Sequence, residues 1–463
     1  MEHILAAISS AVTAFFSFPA YVILPAFMLV LALAARMALK EALLSTVRIA
    51  AGFAGVFIVF SYFVAQIGPA IQSMIDLRGL NYPVVDVGWP PLAAITWSSY
   101  LAPIAVVAVM AMNLAMLLTG LTKTLYVDLW NYWHFALLGA LIQAVTASPV
   151  LALAATLTIA LYNIKATEWT APYVKRETGL DGIAVSPISV AGFLPYAAAL
   201  NRLFDAIPGL NRLRWDPSRS SASAHAGTAE GPKLLREPMV IGALVGAFLS
   251  ILAGYDARKT LETVVNVAAV MFLLPRCGEL IGQGMGAVSK AFKELMERKF
   301  PRMNGLSIAM DTGILMTNQS VVATGLILIP VSVLLAFVLP GNRLIPLGDL
   351  PNLMSIMSVI TLVMGGNVIR SVLAGIPVVA SFMLIASRMA PLFTDLASAS
   401  GMELATGGKS ITAFTDGGNQ IRFWLFQAYQ GNWIALAIIP LALFLLWFAW
   451  REQKAVAEKL GDR

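Results

Sequence analysis

The stretch VVDVGWPPLAAITW, residues 84–97, decides how this sequence folds. It lies between long apolar runs, yet it holds a carboxylate (Asp86), two adjacent prolines and two tryptophans (Trp89 and Trp97). The stretch is too polar and too interrupted to cross a bilayer as a helix, and it is too apolar for an exposed loop. Non-helical backbone at membrane depth survives only where protein or an aqueous cavity surrounds it. The stretch therefore predicts a re-entrant hairpin within a membrane protein.

The composition agrees with a membrane location for the whole chain. Of its 463 residues, 59% are hydrophobic and only 12% are charged, whereas a soluble domain has about 25% charged residues. The net charge of +6 does not indicate a nucleic-acid partner, because the basic residues lie in loops between apolar spans. A single cysteine, Cys277, excludes an internal disulfide and a multi-cysteine metal site. We expect an all-α polytopic membrane protein with membrane lipid around it and with no metal or cofactor.

Eleven apolar segments approach the length of about 20 residues that a spanning helix needs. They are about 18–36, 42–66, 101–121, 131–147, 149–165, 237–254, 259–275, 318–340, 353–366, 371–390 and 430–450. Lys and Arg cluster after the first span, between residues 165 and 236, after the seventh span and after the eleventh. The positive-inside rule then predicts an outside N-terminus and a cytoplasmic C-terminus, as in an inner-membrane protein.

Two segments are predicted to lie outside the spans. In residues 279–299, apolar side chains recur at helical spacing and basic side chains occupy the other face. This pattern predicts an amphipathic helix on the membrane surface. Residues 216–236 are mostly small and polar, which predicts a cytoplasmic linker between the two halves of the chain.

Landmarks of the first half recur in the second half in the same order. The pairs are IGPAIQSM (67–74) with IGQGMGAV (281–288), Asp86 with Asp311, Asp128-Leu129 with Asp349-Leu350, and Asp181-Gly182 with Asp416-Gly417. Each half holds five spans, and an odd number inverts the second copy, as in many secondary transporters. The predicted re-entrant hairpins are 84–100 with 306–317, and 181–195 with 407–420. The predicted domains are a first repeat (1–215), the linker (216–236), an inverted second repeat (237–423), and a last spanning helix with a cytoplasmic tail (424–463).

Eight motifs then resemble one family. They are VVDVGWP (84–90), NLAMLLT (113–119), VDLWNYWH (127–134), LDGIAV (180–185), IPGLNRLR (207–214), SILAGYD (250–256), AAVMFLLPR (268–276) and LPGNRLIPLGDL (339–350). Together they resemble the galactitol-type enzyme IIC, in the ascorbate-galactitol superfamily, of the bacterial phosphoenolpyruvate-dependent sugar phosphotransferase system. The resemblance runs from about residue 18 to residue 450.

The resemblance implies a permease subunit that binds an external polyol, with galactitol as the first candidate, and carries it inward. A separate IIB subunit, with IIA upstream of it, would phosphorylate the polyol from a phosphocysteine, so the chain is a transport subunit of a phosphotransferase complex. The related ascorbate-type IIC implies eleven spans, inverted repeats, a homodimer and a core that moves against a fixed scaffold. This chain departs from the family pattern in GIAVSPISVAG (182–192), which has no histidine where the family has Pro-His-Gly. The departure leaves open a polyol substrate other than galactitol. The IIB partner is expected on the basic faces of 165–236 and 276–303.

A polyol offers only hydroxyl groups, which carboxylates and amides bind well. Charged groups inside a membrane are costly and indicate function. The expected substrate-binding residues are Asp86, Trp89, Trp97, Asn131, His134, Asp181, Asp311, Asp416, Asn419 and Gln420. The alternatives are helix caps for the aspartates, foremost for Asp128 and Asp349, and interfacial anchors for the tryptophans. The general base stays open among His134, Asp311 and Asp86.

A second hypothesis is an ion-coupled secondary transporter of a sugar or polyol that uses the same inverted repeats. Asp86 or Asp311 would then be the coupling site. A third hypothesis, a membrane enzyme acting on isoprenoid phosphates, requires clustered acidic residues for Mg²⁺ that the sequence lacks.

Overall fold

The computed structural model describes residues 20–77, 82–97, 101–210, 212–218, 238–299, 305–400 and 408–461, together with Phe18, Gly79 and Ser99. Most of these residues are helical, as the sequence predicts. The predicted linker 216–236 lies outside the described residues from position 219 onward.

In the first half, apolar helices alternate with short extended segments. The elements are α1 (Ala20–Ala34), α2 (Leu39–Leu77), β1 (Val84–Asp86), α3 (Trp89–Trp97), α4 (Leu101–Leu118), β2 (Thr124–Leu125), a 3₁₀ turn (Leu129–Tyr132), α5 (Trp133–Thr146), α6 (Pro149–Thr178), β3 (Ile183–Val185), α7 (Ile188–Ala191) and α8 (Leu194–Ala206). Local chemistry sets the bounds of α6. The Ser148 side chain accepts a hydrogen bond from Leu151 N, Pro149 begins the helix, and Gly179 ends it with a φ of 75°.

The second half repeats this alternation. Its elements are α9 (Pro238–Leu252), α10 (Ala257–Lys299), β4 (Ser307–Met310), a 3₁₀ turn (Thr312–Thr317), α11 (Gln319–Val338), β5 (Leu344–Ile345), α12 (Asn352–Ile356), α13 (Ser358–Val363), α14 (Val368–Ala399), β6 (Ser410–Thr412), α15 (Gln420–Tyr429), α16 (Trp433–Ala437) and α17 (Ile439–Lys459). Each predicted hairpin therefore contains a short strand followed by a turn or helix.

Helix length and composition support a multi-pass membrane protein. Six helical stretches of the described residues are long and apolar enough to span: Leu101–Leu118, Pro149–Thr178, Ala257–Val288, Gln319–Val338, Val368–Ala399 and Trp433–Lys459. Three shorter apolar stretches accompany them: Trp133–Thr146, Met239–Leu252 and Asn352–Val363. The fourth and ninth predicted spans fall on short helices, because turns and strands occupy the chain next to them.

Two small parallel sheets, which the sequence analysis did not predict, hold the broken segments. One has the strand order β5-β1-β6, with Val84 opposite both Leu344 and Ser410. The other has the order β2-β4-β3, with Ile308 opposite Leu125 and Ile183. In each sheet the central strand comes from one half of the chain and both outer strands come from the other half. The strand pairing satisfies backbone polar groups that could not be left bare inside a membrane protein.

The predicted surface helix 279–299 is wrong as a separate element. Residues 257–299 form one helix, α10, of 43 residues. The apolar side chains Ile281, Met285 and Val288 are buried, because α2 packs along them. A Cβ placed on Gly52 of α2 would lie only 2.5 Å from Ile281 Cγ1. The amphipathic pattern therefore comes from a face that packs against protein.

The long helices α2 and α10 pack with α1 and α9 into one set, which we call the four-helix group. The 3₁₀ turn after β4 packs against this group: a Cβ on Gly313 would lie 3.0 Å from Phe53 Cε1 of α2. The end of the β2-β4-β3 sheet therefore meets α2.

Candidate functional site

A polar cavity lies where the segments after β3, β4 and β6 approach α2. Its polar wall consists of Asn131, His134, Ser189, Asp311, Thr312, Asn352, Ser355 and Asp416. Its apolar wall includes Trp89, Trp133 and, from α2, Phe53 and Val56. The cavity volume is about 80 Å³, which is room for several water molecules. Both halves of the chain contribute to it.

Stacked rings form one side of the cavity. The Trp133 and His134 rings lie 3.9 Å apart, centre to centre, at an angle of 27°. Trp89 stacks on Trp133 at 6.4 Å and 22°. These rings give a flat, largely apolar surface of the kind that the carbon face of a polyol can cover.

Asn131 connects two carboxylates. Its Nδ2 donates to Asp128 Oδ2 at 2.5 Å and to Asp311 Oδ2 at 2.9 Å. Asp311 Oδ1 accepts from Gly313 N at 3.0 Å, and Ser186 Oγ donates to Asp128 Oδ2. Within the described residues, Asp128 Oδ1 is buried with no hydrogen-bond partner. Asp128 makes no side-chain cap bond at its 3₁₀ turn, so it is not the helix cap that the sequence suggested.

A second polar cluster holds the histidine. Arg422 Nη2 lies 3.2 Å from His134 Nδ1, and Asp416 Oδ1 lies 3.4 Å from the same nitrogen. Arg422 Nη1 also donates to the backbone oxygen of Asp416, and Asn352 Nδ2 donates to Asp416 Oδ2 at 3.4 Å. His134, Asp416 and Arg422 are all at least 97% buried. Within the described chain, Asp416 Oδ1 has no hydrogen-bond partner.

Asp86 does not line this cavity. Its Oδ1 accepts from Gly88 N at 3.1 Å and Phe414 N at 2.9 Å, and its Oδ2 accepts from Leu347 N at 2.8 Å and Asp349 N at 3.2 Å. Four backbone donors thus occupy both oxygens of the carboxylate. Asp86 ties the turn after β1 to the segments after β5 and β6.

Asp349 also binds backbone groups. Its Oδ1 accepts from Trp89 N at 2.9 Å, at the start of α3. Its Oδ2 accepts from Thr415 N at 3.0 Å and from Thr415 Oγ1 at 2.6 Å. Asp349 therefore caps a helix start as the sequence suggested, but the helix is α3, far away in the chain.

Two other predicted site residues point elsewhere. Asp181 is exposed and lies 3.3 Å from Lys175 Nζ. Because Asp181 precedes β3 whereas Asp416 follows β6, the predicted matching of these two positions is wrong. Trp97 packs against a small cluster of alanines on α4 and α5.

Asn419 and Gln420 make hydrogen bonds at the start of α15, outside the polar cavity. Asn419 Oδ1 accepts from Arg422 N at 2.9 Å and caps the helix. Gln420 Nε2 donates to Val378 O at 3.1 Å, beside a separate apolar cavity.

Five of the ten predicted residues thus line the polar cavity: Trp89, Asn131, His134, Asp311 and Asp416.

Sequence reasoning missed several polar members of the site. Ser189 and Thr312 lie inside predicted hairpins, and Asn352 follows the Asp349 landmark, so their positions were a usable signal. Arg422 lies just after the last predicted hairpin, as a cation within an apolar helix. Among the described residues, no group of three or more His, Cys, Asp or Glu side chains could hold a metal ion.

Comparison with known proteins places the chain in a family. The family described as "PTS system sugar-specific permease component" matches residues 14–407. The galactitol-specific EIIC components of the PTS from Escherichia coli K12 and O157:H7 are each 32% identical over 405 residues, 87% of this chain and 87% of theirs. A putative permease IIC component from E. coli K12 is 29% identical over 396 residues, 86% of this chain and 89% of its own. This chain therefore belongs to the sugar-specific permease components of the phosphotransferase system.

Proposed function

We propose that this permease component takes up a polyol, galactitol in the first place, through the polar cavity. The observation that carries the proposal is the pairing of a stacked aromatic wall with carboxylate and amide groups in one buried space. Polyol hydroxyls both donate and accept hydrogen bonds, and these groups supply both kinds of partner. Galactitol is favoured because the EIIC components that are 32% identical to this chain are galactitol-specific.

In this proposal the carbon chain of the polyol covers Trp89 and Trp133. Asp416 Oδ1, which lacks a hydrogen-bond partner among the described residues, accepts from a substrate hydroxyl. Asn131 and Asp311 bind the other end of the polyol. Asp86, Trp97, Asp181, Asn419 and Gln420, which do not line the cavity, fall outside the proposed site.

Phosphorylation of the polyol requires a group that takes the proton of the attacking polyol hydroxyl. Asp311 and His134 both line the cavity, whereas the oxygens of Asp86 are occupied by backbone donors. Of the three bases that the sequence suggests, Asp311 and His134 therefore remain. The phosphorylated product is charged and cannot return through an apolar pathway, which makes uptake one-way.

The proposal includes two inverted repeats, 1–215 and 237–423, joined by the linker 216–236 and followed by residues 424–463, with eleven spans in total. Its support is the exchange of strands between the halves. Suppose that β1 corresponds to β4, β2 to β5 and β3 to β6. Exchanging each strand for its counterpart then turns the order β5-β1-β6 into β2-β4-β3, which is the order of the other sheet. A duplicated unit predicts that relation.

The proposal also includes a homodimer in the bacterial inner membrane, with the N-terminus outside and the C-terminus in the cytoplasm. A IIB subunit with a phosphocysteine, charged by IIA, would dock on the basic cytoplasmic faces of 165–236 and 276–303. The distribution of Lys and Arg along the chain supports this orientation. The stretch Trp433–Lys459 has only 11% of its most apolar window buried, which leaves it free to contact lipid or a second copy.

The test uses membrane vesicles that expose the cytoplasmic face, phosphorylated IIB and a panel of labelled polyols. We expect galactitol phosphate to form and to vanish when IIB is omitted. Asp311→Asn should reduce ester formation, while the matched control Asp181→Asn, an exposed carboxylate outside the cavity, should not. If no ester forms and uptake instead follows an ion gradient, the proposal is wrong.

A further inference from the structure

A buried arginine lies directly behind His134. Arg422, near the start of α15, is 98% buried, and it does not line the cavity. Its backbone N is held by Asn419 Oδ1 at 2.9 Å, and its Nη1 donates to the Asp416 backbone oxygen. The guanidinium is therefore fixed in direction by the turn that carries Asp416.

The direction of this guanidinium decides how His134 is protonated. Arginine has only donors, so the contact of 3.2 Å between Arg422 Nη2 and His134 Nδ1 requires a lone pair on Nδ1. A neutral imidazole with an accepting Nδ1 carries its proton on Nε2. The competing arrangement, Nδ1–H donating to Asp416 Oδ1, has the longer distance of 3.4 Å and would point two donors at each other.

We infer that Arg422 is a positioning residue that keeps the proton of His134 on Nε2. This inference rests on the proposed function and deepens it. His134 then donates a hydrogen bond from Nε2 to a substrate hydroxyl and has no free lone pair for that hydroxyl's proton.

Of the two candidate bases, this leaves Asp311, which lines the cavity, to take the proton. As the hydroxyl oxygen bonds to phosphorus, the phosphorus–sulfur bond of the IIB phosphocysteine breaks and its sulfur leaves as a thiolate. The hydroxyl proton passes to the Asp311 carboxylate. Asp311 and His134 thus have different roles, base and donor, because only the imidazole has an arginine behind it.

The direct test is nitrogen NMR of the full chain in nanodiscs with labelled histidine and no polyol. The chain has three histidines, and the signal missing in His134→Gln identifies the one of interest. We expect an unprotonated Nδ1 and a protonated Nε2 in the wild type. In Arg422→Met we expect Nδ1 to become protonated and to donate to Asp416. Arg422→Lys, which keeps a positive donor, should retain the wild-type tautomer.

A protonated Nδ1 in the wild type, or an unchanged signal in Arg422→Met, would overturn the inference. Because this measurement needs no substrate, its failure is distinct from the failure of the proposed function, which shows as a missing ester.

A second test holds even if Arg422→Met does not fold. The amide nitrogen of glutamine can replace Nε2–H as a donor, so His134→Gln should raise KM and lower ester formation by about tenfold or less. Loss of a general base costs about 100-fold or more, and we expect that loss in kcat for Asp311→Asn. If His134→Gln loses more than about 100-fold in kcat while Asp311→Asn stays active, His134 is the base and the inference is wrong.

Discussion

Replacing Asp86 with asparagine should unfold the permease rather than empty its substrate site. The carboxylate accepts four backbone hydrogen bonds of 2.8–3.2 Å, from Gly88, Leu347, Asp349 and Phe414. These donors belong to the turn after β1 and to the segments after β5 and β6. One side chain thus connects three parts of the chain that are distant in sequence.

The cost follows from counting the donors. Asparagine keeps one oxygen, but its NH₂ group faces two of the four backbone N–H groups, so two hydrogen bonds to a charged acceptor are lost. Each is worth about 1.5–3 kcal/mol, which gives a loss of about 3–6 kcal/mol. That loss reaches the lower end of the free energy of unfolding of a folded domain, about 5–15 kcal/mol.

The assay is thermal or detergent-induced unfolding of the purified protein in nanodiscs, with Asp181→Asn as the matched control at an exposed aspartate. We expect Asp86→Asn to unfold at a much lower temperature or detergent concentration than the wild type. Asp181→Asn should unfold at the same point as the wild type. The reasoning would be refuted if Asp86→Asn were as stable as the wild type but bound no polyol. Asp86 would then be a substrate or proton site, as the sequence alone suggested.

Three further outcomes test the site and the fold. Ser189→Val, which removes a buried hydroxyl from the cavity wall, should weaken polyol binding by about three- to tenfold in isothermal titration; unchanged binding would remove Ser189 from the site. Ile281→Lys should destabilise the protein in the same unfolding assay, because it places a charge between α10 and α2, whereas Leu280→Lys on the exposed side should not. Cysteines at Gly68 of α2 and Leu347 after β5, where a Cβ on Gly68 would lie 3.7 Å from Leu347 Cδ1 and neither residue lines the cavity, can be joined by a short thiol reagent in a chain without its native cysteine. This link should stop ester formation but not polyol binding, since the resemblance implies that a core moves against a fixed scaffold; an undiminished rate would contradict that motion.

The presence of carboxylates in the broken segments could be predicted from the sequence, but their use could not. Asp86 and Asp311 each lie at the end of a central strand, and both were expected to bind substrate. Asp86 instead meets Leu347 and Phe414, donors more than 250 positions away along the chain. No local pattern around residue 86 reports such partners.

The two sheets were missed for a related reason. Their strands are two to four residues long, which is too short for an alternating pattern to emerge. The surface helix was mistaken because an apolar stripe beside a basic face has the same period whether lipid or protein covers it. Only the neighbouring helix, α2, decides between the two, and it comes from the other half of the chain.

The buried aspartates of this permease differ in whether backbone or side-chain groups donate hydrogen bonds to them. This difference explains which of them can bind a substrate. Asp86 is held by backbone amides alone and Asp349 largely so, and those amides cannot turn away without breaking the turns and sheets to which they belong. Asp311 and Asp416 are held in part by the side chains of Asn131 and Asn352, which can change rotamer and release an oxygen to a hydroxyl. A backbone-bound carboxylate therefore supports the turns that follow the short strands, while a side-chain-bound carboxylate can exchange its partner for a substrate. Both kinds are needed in one place, because a cavity with movable polar side chains requires rigid, fully hydrogen-bonded backbone around it.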